Sequence, residues 1–116
     1  MPYKRADRVA SVIHEKLGDL LIRELKDPAL SVVTVTKVQV TDDVRHAKIF
    51  YSVYGDRQEK KNAAEALERA KGFIRTQVGS VLSLRFVPTI TFRFDDSIEY
   101  ADHIDQLIKK LHDESR

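Results

Sequence analysis

Apolar residues open the chain at helical spacing. Val9, Ile13, Leu17, Leu20, Leu21 and Leu25 follow one another at intervals of three, four and one, which lays one stripe along one side of a helix. The spacing predicts a helix from Arg5 to Leu25, ended by Lys26-Asp27-Pro28 because Pro28 has no backbone N–H and disfavours helical geometry at Asp27. Val32 to Thr41 is dense in Val and Thr and reads as a strand, with Val32, Thr34, Thr36, Val38 and Val40 on one face and Val33, Val35, Lys37 and Gln39 on the other. Arg45 to Tyr54 alternates more clearly, Ala47, Ile49, Tyr51 and Val53 opposing Lys48, Phe50, Ser52 and Tyr54. The short Asp42-Asp43-Val44 link predicts an antiparallel hairpin.

After Gly55, Asp56 with Glu59 is a capping-box signature for a helix carrying Ala63, Ala66, Leu67 and Ala70 as packing positions. The stripe then meets Gly72 and restarts as Ile74, Val78, Val81 and Leu82. A glycine inside a helix costs ~1 kcal/mol, so a kink or break is expected there. Past Pro88, Ile90 to Asp95 reads as a third strand, and Asp96 with Glu99 caps a last helix with Ile104, Leu107, Ile108 and Leu111 as its stripe. The helical crossover makes the third strand parallel to the second. The result is one two-layer α+β domain over residues 1–116, with a three-stranded mixed sheet, helices on one face and the other face open.

Charge changes this picture more than composition does. The net charge is only +2. Residues 57–85, however, hold seven Lys/Arg against three Asp/Glu, whereas residues 95–116 hold three against seven. A basic middle beside an acidic end is the footprint of a nucleic-acid binder, or simply scattered surface charge. The chain has no Cys, which removes disulfides and thiolate sites and agrees with a reducing cytoplasm. It has no apolar run of ~20 residues and no signal-like N-terminus, so no membrane is expected.

Catalytic patterns are thin. His14-Glu15 opens like a zinc-protease motif, but Gly18 stands where the second ligand belongs. His46, His103 and His112 fall in separate elements, and Asp42-Asp43 and Asp95-Asp96 read as turn or cap residues. Gly18, Gly55, Gly72 and Gly79 match no phosphate-loop fingerprint, and no serine sits in a nucleophile elbow. No enzyme, cofactor or small-molecule substrate is expected.

The informative stretch runs from Arg69 to Ser80. Opposite its apolar stripe, Gly72, Arg75, Thr76, Gly79 and Ser83 make a face of small residues with one arginine. Such a face admits a sugar-phosphate backbone, aided by amide N–H groups at a kink, or equally admits another helix. Lys4, Arg5 and Arg8 form a second positive cluster at a helix start, where cations are unfavourable unless something anionic is bound. Phe50 and Tyr54 either stack on bases or belong to the core.

Several stretches, taken in order, carry a resemblance: Arg5-Ala6-Asp7-Arg8-Val9, Leu25-Lys26-Asp27-Pro28, Thr34 to Val40, Asp43, Ala47-Lys48, Ala70-Lys71-Gly72-Phe73-Ile74-Arg75, Leu84-Arg85-Phe86-Val87-Pro88 and Phe92 to Tyr100. With them the chain resembles the ribosome-binding factor A family, small bacterial factors that assist maturation of the small ribosomal subunit. The resemblance implies a type II KH-like fold in the order α-β-β-α-(Ala-x-Gly kink)-α-β-α. Ordinary KH domains clamp nucleic acid with a Gly-x-x-Gly loop; this family has an Ala-x-Gly kink instead, matched by Ala70-Lys71-Gly72. It also implies a monomeric, non-enzymatic cytoplasmic partner of free small subunits. Such a partner would aid processing of small-subunit ribosomal RNA near its 5′-terminal helix and growth in the cold. The acidic segment 97–116 is expected to be the most mobile.

Together these readings predict phosphate contacts from Arg69, Lys71 and Arg75, with Gly72 permitting close approach beside Ala70 and Thr76. Lys4, Arg5, Arg8 and Arg85 would extend the footprint. The alternative is a protein-interaction adaptor that docks a partner on the open sheet face and the acidic helix without binding RNA.

Overall fold

The computed structural model describes residues 4–114, apart from the side chain of Ile98. Its order is α1 (Arg5–Arg23), a short 3₁₀ turn (Pro28–Leu30), β1 (Val33–Val40), β2 (His46–Val53), α2 (Arg57–Val81), β3 (Thr89–Phe94) and α3 (Ser97–Glu114). β2 is central, antiparallel to β1 from Val33↔Val53 to Val40↔Ala47 and parallel to β3 from His46↔Thr89 to Tyr51↔Phe94. This is the expected two-layer α+β arrangement with a mixed sheet.

α1 buries Val9, Ile13, Leu17 and Leu20 of the expected stripe, with Ala6 beside them, against the sheet, while Leu21 and Leu25 are half-buried. Its last turn loosens, Glu24 and Leu25 both donating to the Leu20 carbonyl at 3.0 and 2.8 Å. Asp27 then caps the 3₁₀ turn by accepting from the Ala29 N–H at 3.0 Å. The Asp56–Glu59 capping box closes reciprocally at the start of α2.

Three expectations are corrected. The first concerns the faces of β1: its pairing slips between Val35 and Lys37, so Thr36 is an extra residue in the ladder. A bulge of one residue reverses the alternation beyond it. Val33 and Val35 therefore share the inner face with Val38 and Val40, and Lys37 and Gln39 turn outward.

The second concerns Gly72. α2 is a single helix of 25 residues through that position. Its N-terminal half buries Ala63, Ala66 and Leu67 in one cluster with Leu30, Val33, Tyr51 and Val53, and its C-terminal half buries Ile74 and Val78 in the other. Burying Ile74 and Val78 is worth ~2 kcal/mol each, more than the ~1 kcal/mol that one glycine costs, so packing overrides propensity. With no second helix start, the expected amide N–H groups at a kink do not exist, because they are committed to the ladder.

The third concerns α3. Its stripe is not packed on the domain: Leu107, Ile108 and Leu111 are all exposed, and Ile104 is half-buried. An ion pair between Lys60 and Glu99 ties its first turn to α2. The radius of gyration is 17.2 Å, against ~13 Å for a compact domain of similar length, because α3 stands away from the body. α1 and α2 thus form the whole helical layer on the sheet. Ser115 and Arg116, the end of the expected 97–116 segment, lie outside the described residues.

Candidate nucleic-acid interface

The hairpin between β1 and β2 supplies the first part of the site. Thr41 N–H donates to the His46 carbonyl at 3.0 Å and Val44 N–H to the Thr41 carbonyl at 2.8 Å. Val44 sits at φ 59°, a region costly for a β-branched residue, and its side chain is buried in the α1 core cluster. Burial of that valine holds the turn, and the turn presents Arg45 to solvent. Asp43 accepts from the Thr41 hydroxyl at 2.6 Å and the Arg45 N–H at 3.1 Å. These donors, the hydroxyl first, hold its carboxyl below the ordinary carboxylate range.

The connection between α2 and β3 supplies the second part. A Cβ on Gly79 would stand 2.7 Å from a Val87 methyl carbon. The absent side chain therefore lets residues 82–88 fold back along α2, which assigns Gly79 to close packing. Arg75 fastens the same segment: its Nε donates to the Pro88 carbonyl at 3.2 Å and an Nη to the Val87 carbonyl at 2.9 Å. A guanidinium has five N–H donors, so Arg75 is held in place with donors left for an anion. Arg85 lies over the Phe86 ring at 5.5 Å, and Phe86 is 66% exposed.

These elements meet. A depression of about 330 Å³ is lined by Gly72, Arg75, Thr76, Arg85, Phe86 and Val87. A second, of about 150 Å³, brings Arg5 of α1 and Arg45 of the hairpin to the same Arg85 and Phe86. The two depressions share that Arg–Phe pair and carry Arg5, Arg45, Arg75 and Arg85 against Asp43 as their one acid. A Cβ on Gly72 would touch nothing within 4 Å, so that position is open surface. Lys4 and Arg8 are exposed beside Arg5 at the start of α1.

The remaining predicted residues do not join this surface. Positions 69 and 71 point ~200° apart on a helix. Arg69 reaches back to Asp27 at 3.1 Å; the Ala29 N–H first and Arg69 next keep that carboxyl below its ordinary range. Lys71 pairs with Glu68 at 2.9 Å and sits 5.8 Å over the Phe92 ring. Ala70 is half-buried in the core. Arg45 and Phe86 were missed by sequence reasoning. Phe86 lies inside the quoted Leu84-to-Pro88 stretch, but no local signal marks Arg45, which gains its place from a non-local turn. Among the described residues no group of His, Asp and Glu is arranged to hold a metal ion, and no helix is long and apolar enough to cross a membrane.

The α+β domain, with α1 and α2 on one face of a mixed sheet, gathers four arginines and an exposed aromatic where α1, the β1–β2 hairpin and the α2–β3 connection meet, a combination of features shared with the class of small nucleic-acid-binding modules. A family model described as Ribosome-binding factor A matches residues 5–108. A Syntrophobacter fumaroxidans protein of that name is 47% identical over 114 residues, 97% of each chain. The solution structure of a Thermotoga maritima protein assigned as a ribosome binding factor A superposes with a TM-score of 0.71 at 35% identity, covering 85% of this chain and 94% of that one. A Thermus thermophilus ribosome binding factor A, as a homology model fitted into a cryo-EM map of a 30S–RbfA complex, shares the fold at TM-score 0.66 and 19% identity, covering 80% of this chain and 97% of that one. The chain belongs to the ribosome-binding factor A family.

Proposed function

We propose that this chain is a ribosome assembly factor that binds free small ribosomal subunits through their RNA, with Arg5, Arg45, Arg75 and Arg85 as its phosphate contacts. The observation that carries the reading is the gathering of these arginines around Phe86 with one acid among them. It is supported by membership of a family whose name states ribosome binding and by the relative fitted into a 30S complex. Gly72 and Thr76 allow the backbone close to Arg75, and Lys4 and Arg8 extend the contact along α1. Arg69 and Lys71, each held by an internal acid, contribute less than the sequence pattern alone suggests.

The factor works stoichiometrically, as a cytoplasmic monomer without cofactor or small-molecule substrate. Binding stabilises one arrangement of immature ribosomal RNA near its 5′-terminal helix, and release follows when the mature arrangement no longer fits. That role assists late processing, most of all in the cold, where misfolded RNA escapes slowly.

The test is co-sedimentation with free small subunits. Reversing Arg75→Glu with Arg85→Glu abolishes association, whereas Lys71→Glu leaves most of it. The logarithm of affinity falls with the logarithm of salt at about −0.7 to −0.9 per phosphate contact. Full association of the Arg75→Glu/Arg85→Glu protein, or a flat salt response, refutes the reading.

A further inference from the structure

The sheet face turned away from α1 and α2 is uncovered, and its cross-strand rows are unusual. Through the register, Lys37 of β1, Phe50 of β2 and Arg93 of β3 form one row, and Gln39, Lys48 and Thr91 form the next. The Thr36 bulge is what turns Lys37 outward into the Phe50 row. Lys37, Lys48 and Arg93 are exposed and Phe50 is half-buried, with the Lys37 ammonium 5.8 Å over its ring. Lys48 and Arg93 have no ion pair or hydrogen bond among the described residues.

Three acids lie nearby, of which Glu99, lining a depression with Thr34, Thr36 and Ser52, is paired with Lys60. Asp95 accepts from the Thr36 hydroxyl at 2.6 Å and the Ser97 N–H at 2.9 Å, which sets its carboxylate beside Lys37 and leaves Lys48 and Arg93 as the unpaired cations. Asp7 is the one acid lining a depression of about 570 Å³ that Lys37, Gln39, His46, Lys48 and Thr91 also line. That volume is within the range of ligand-sized clefts.

From this arrangement we propose a second RNA surface: the open face binds single-stranded RNA, one unpaired base stacking on Phe50 while Lys37, Lys48 and Arg93 hold the flanking phosphates. The inference rests on the reading that the chain contacts ribosomal RNA, and it adds a site lined by none of the four corner arginines. Three observations favour RNA over a protein occupant. The centres of protein interfaces are depleted of charge and rich in apolar groups, whereas this face offers three cations around one aromatic ring. Among its other outward side chains, Gln39, His46, Ser52 and Thr91 offer polar groups of the kind that serve base edges and phosphates. Strands lie ~4.8 Å apart, so Lys37 and Arg93 stand ~10 Å from each other astride Phe50, on the two sides of any base placed on the ring. A duplex cannot use this face, because stacking requires a base out of its helix.

The experiment titrates the full chain with fluorescein-labelled oligouridylate and, in parallel, with a blunt-ended RNA duplex of two strands. Stacking on an aromatic ring contributes enough that Phe50→Ala lowers oligouridylate affinity about five- to hundredfold, while Phe50→Tyr stays near the parent. Lys48→Glu with Arg93→Glu, both exposed and without an ion pair or hydrogen bond among the described residues, lowers the affinity and flattens its salt dependence even if Phe50→Ala proves unstable. The duplex is insensitive to all three.

Unchanged oligouridylate affinity in both Phe50→Ala and Lys48→Glu/Arg93→Glu overturns the inference and leaves the arginine corner standing, since that is read separately through Arg75→Glu/Arg85→Glu and subunit association. Loss of subunit association in the sheet-face variants with full oligouridylate affinity also overturns it, and identifies a protein occupant instead.

Discussion

Gly72 and Gly79 lie seven residues apart on α2, and the structure assigns their missing side chains opposite consequences. At Gly72 a methyl group meets nothing within 4 Å, and no positive φ is recorded for it. Gly72→Ala therefore gains the helix propensity difference, ~1 kcal/mol, with no steric charge against it. Unfolding entropy for a chain of this length is about 0.24 kcal/mol per kelvin, so Tm rises about 4 °C. At Gly79 the methyl stands 2.7 Å from a Val87 carbon. Val87 is β-branched and stiff at χ1, and its carbonyl anchors Arg75, so the segment must shift. Overpacking of this kind costs ~1–3 kcal/mol, which exceeds the propensity gain, and Gly79→Ala lowers Tm by about 4 °C.

Thermal and urea unfolding followed by far-ultraviolet circular dichroism reads both variants, with unchanged m-values required for the comparison. The two readouts then separate at the site. Gly72→Ala intrudes on the depression beside Arg75 and gives a more stable protein with weaker subunit association. A destabilised Gly72→Ala refutes the reasoning, because it means that α2 is broken or covered at that position.

Two further outcomes follow from the core and the carboxylates. Ile74→Ala, at a fully buried site, loses about 3 kcal/mol and about 12 °C in Tm; a loss below ~1 kcal/mol in urea unfolding would mean that the half of α2 beyond Gly72 is not docked. Asp95 is held below its ordinary range, by the Thr36 hydroxyl first and the Ser97 N–H next, so its contribution is complete above about pH 4 and is lost as pH falls through its depressed folded value. Urea midpoints measured from neutral to acid pH fall less steeply for Asp95→Asn than for the parent below about pH 4, and parallel profiles would exclude Asp95 as a contributor.

Much of the fold is legible along the chain because its signals are local. The Val9–Leu20 stripe, the Asp56–Glu59 capping box and the alternation of Ala47, Ile49, Tyr51 and Val53 each arise from residues within a few positions of one another, and all are present in the structure. The site is legible only in part. Arg5, Gly72, Arg75, Thr76 and Arg85 come together as the pattern suggests, while Arg69 and Lys71 are withdrawn by Asp27 and Glu68. Glu68 is visible at helical spacing from Lys71, but the Arg69–Asp27 pair joins positions 42 residues apart and leaves no local trace.

Element type, the mixed sheet and the family all follow from residue order, because hydrophobic period and capping chemistry act over a few residues and crossover handedness over one connection. Continuity of α2, the reversal of β1 at Thr36 and the meeting of Arg45 with Arg85 do not. Each depends on a balance between distant groups: two core clusters that outweigh one glycine, a strand partner that absorbs one extra residue, and a valine turn held by burial. Such balances involve pairs far apart in sequence, whose energies exist only once the chain has brought them into contact.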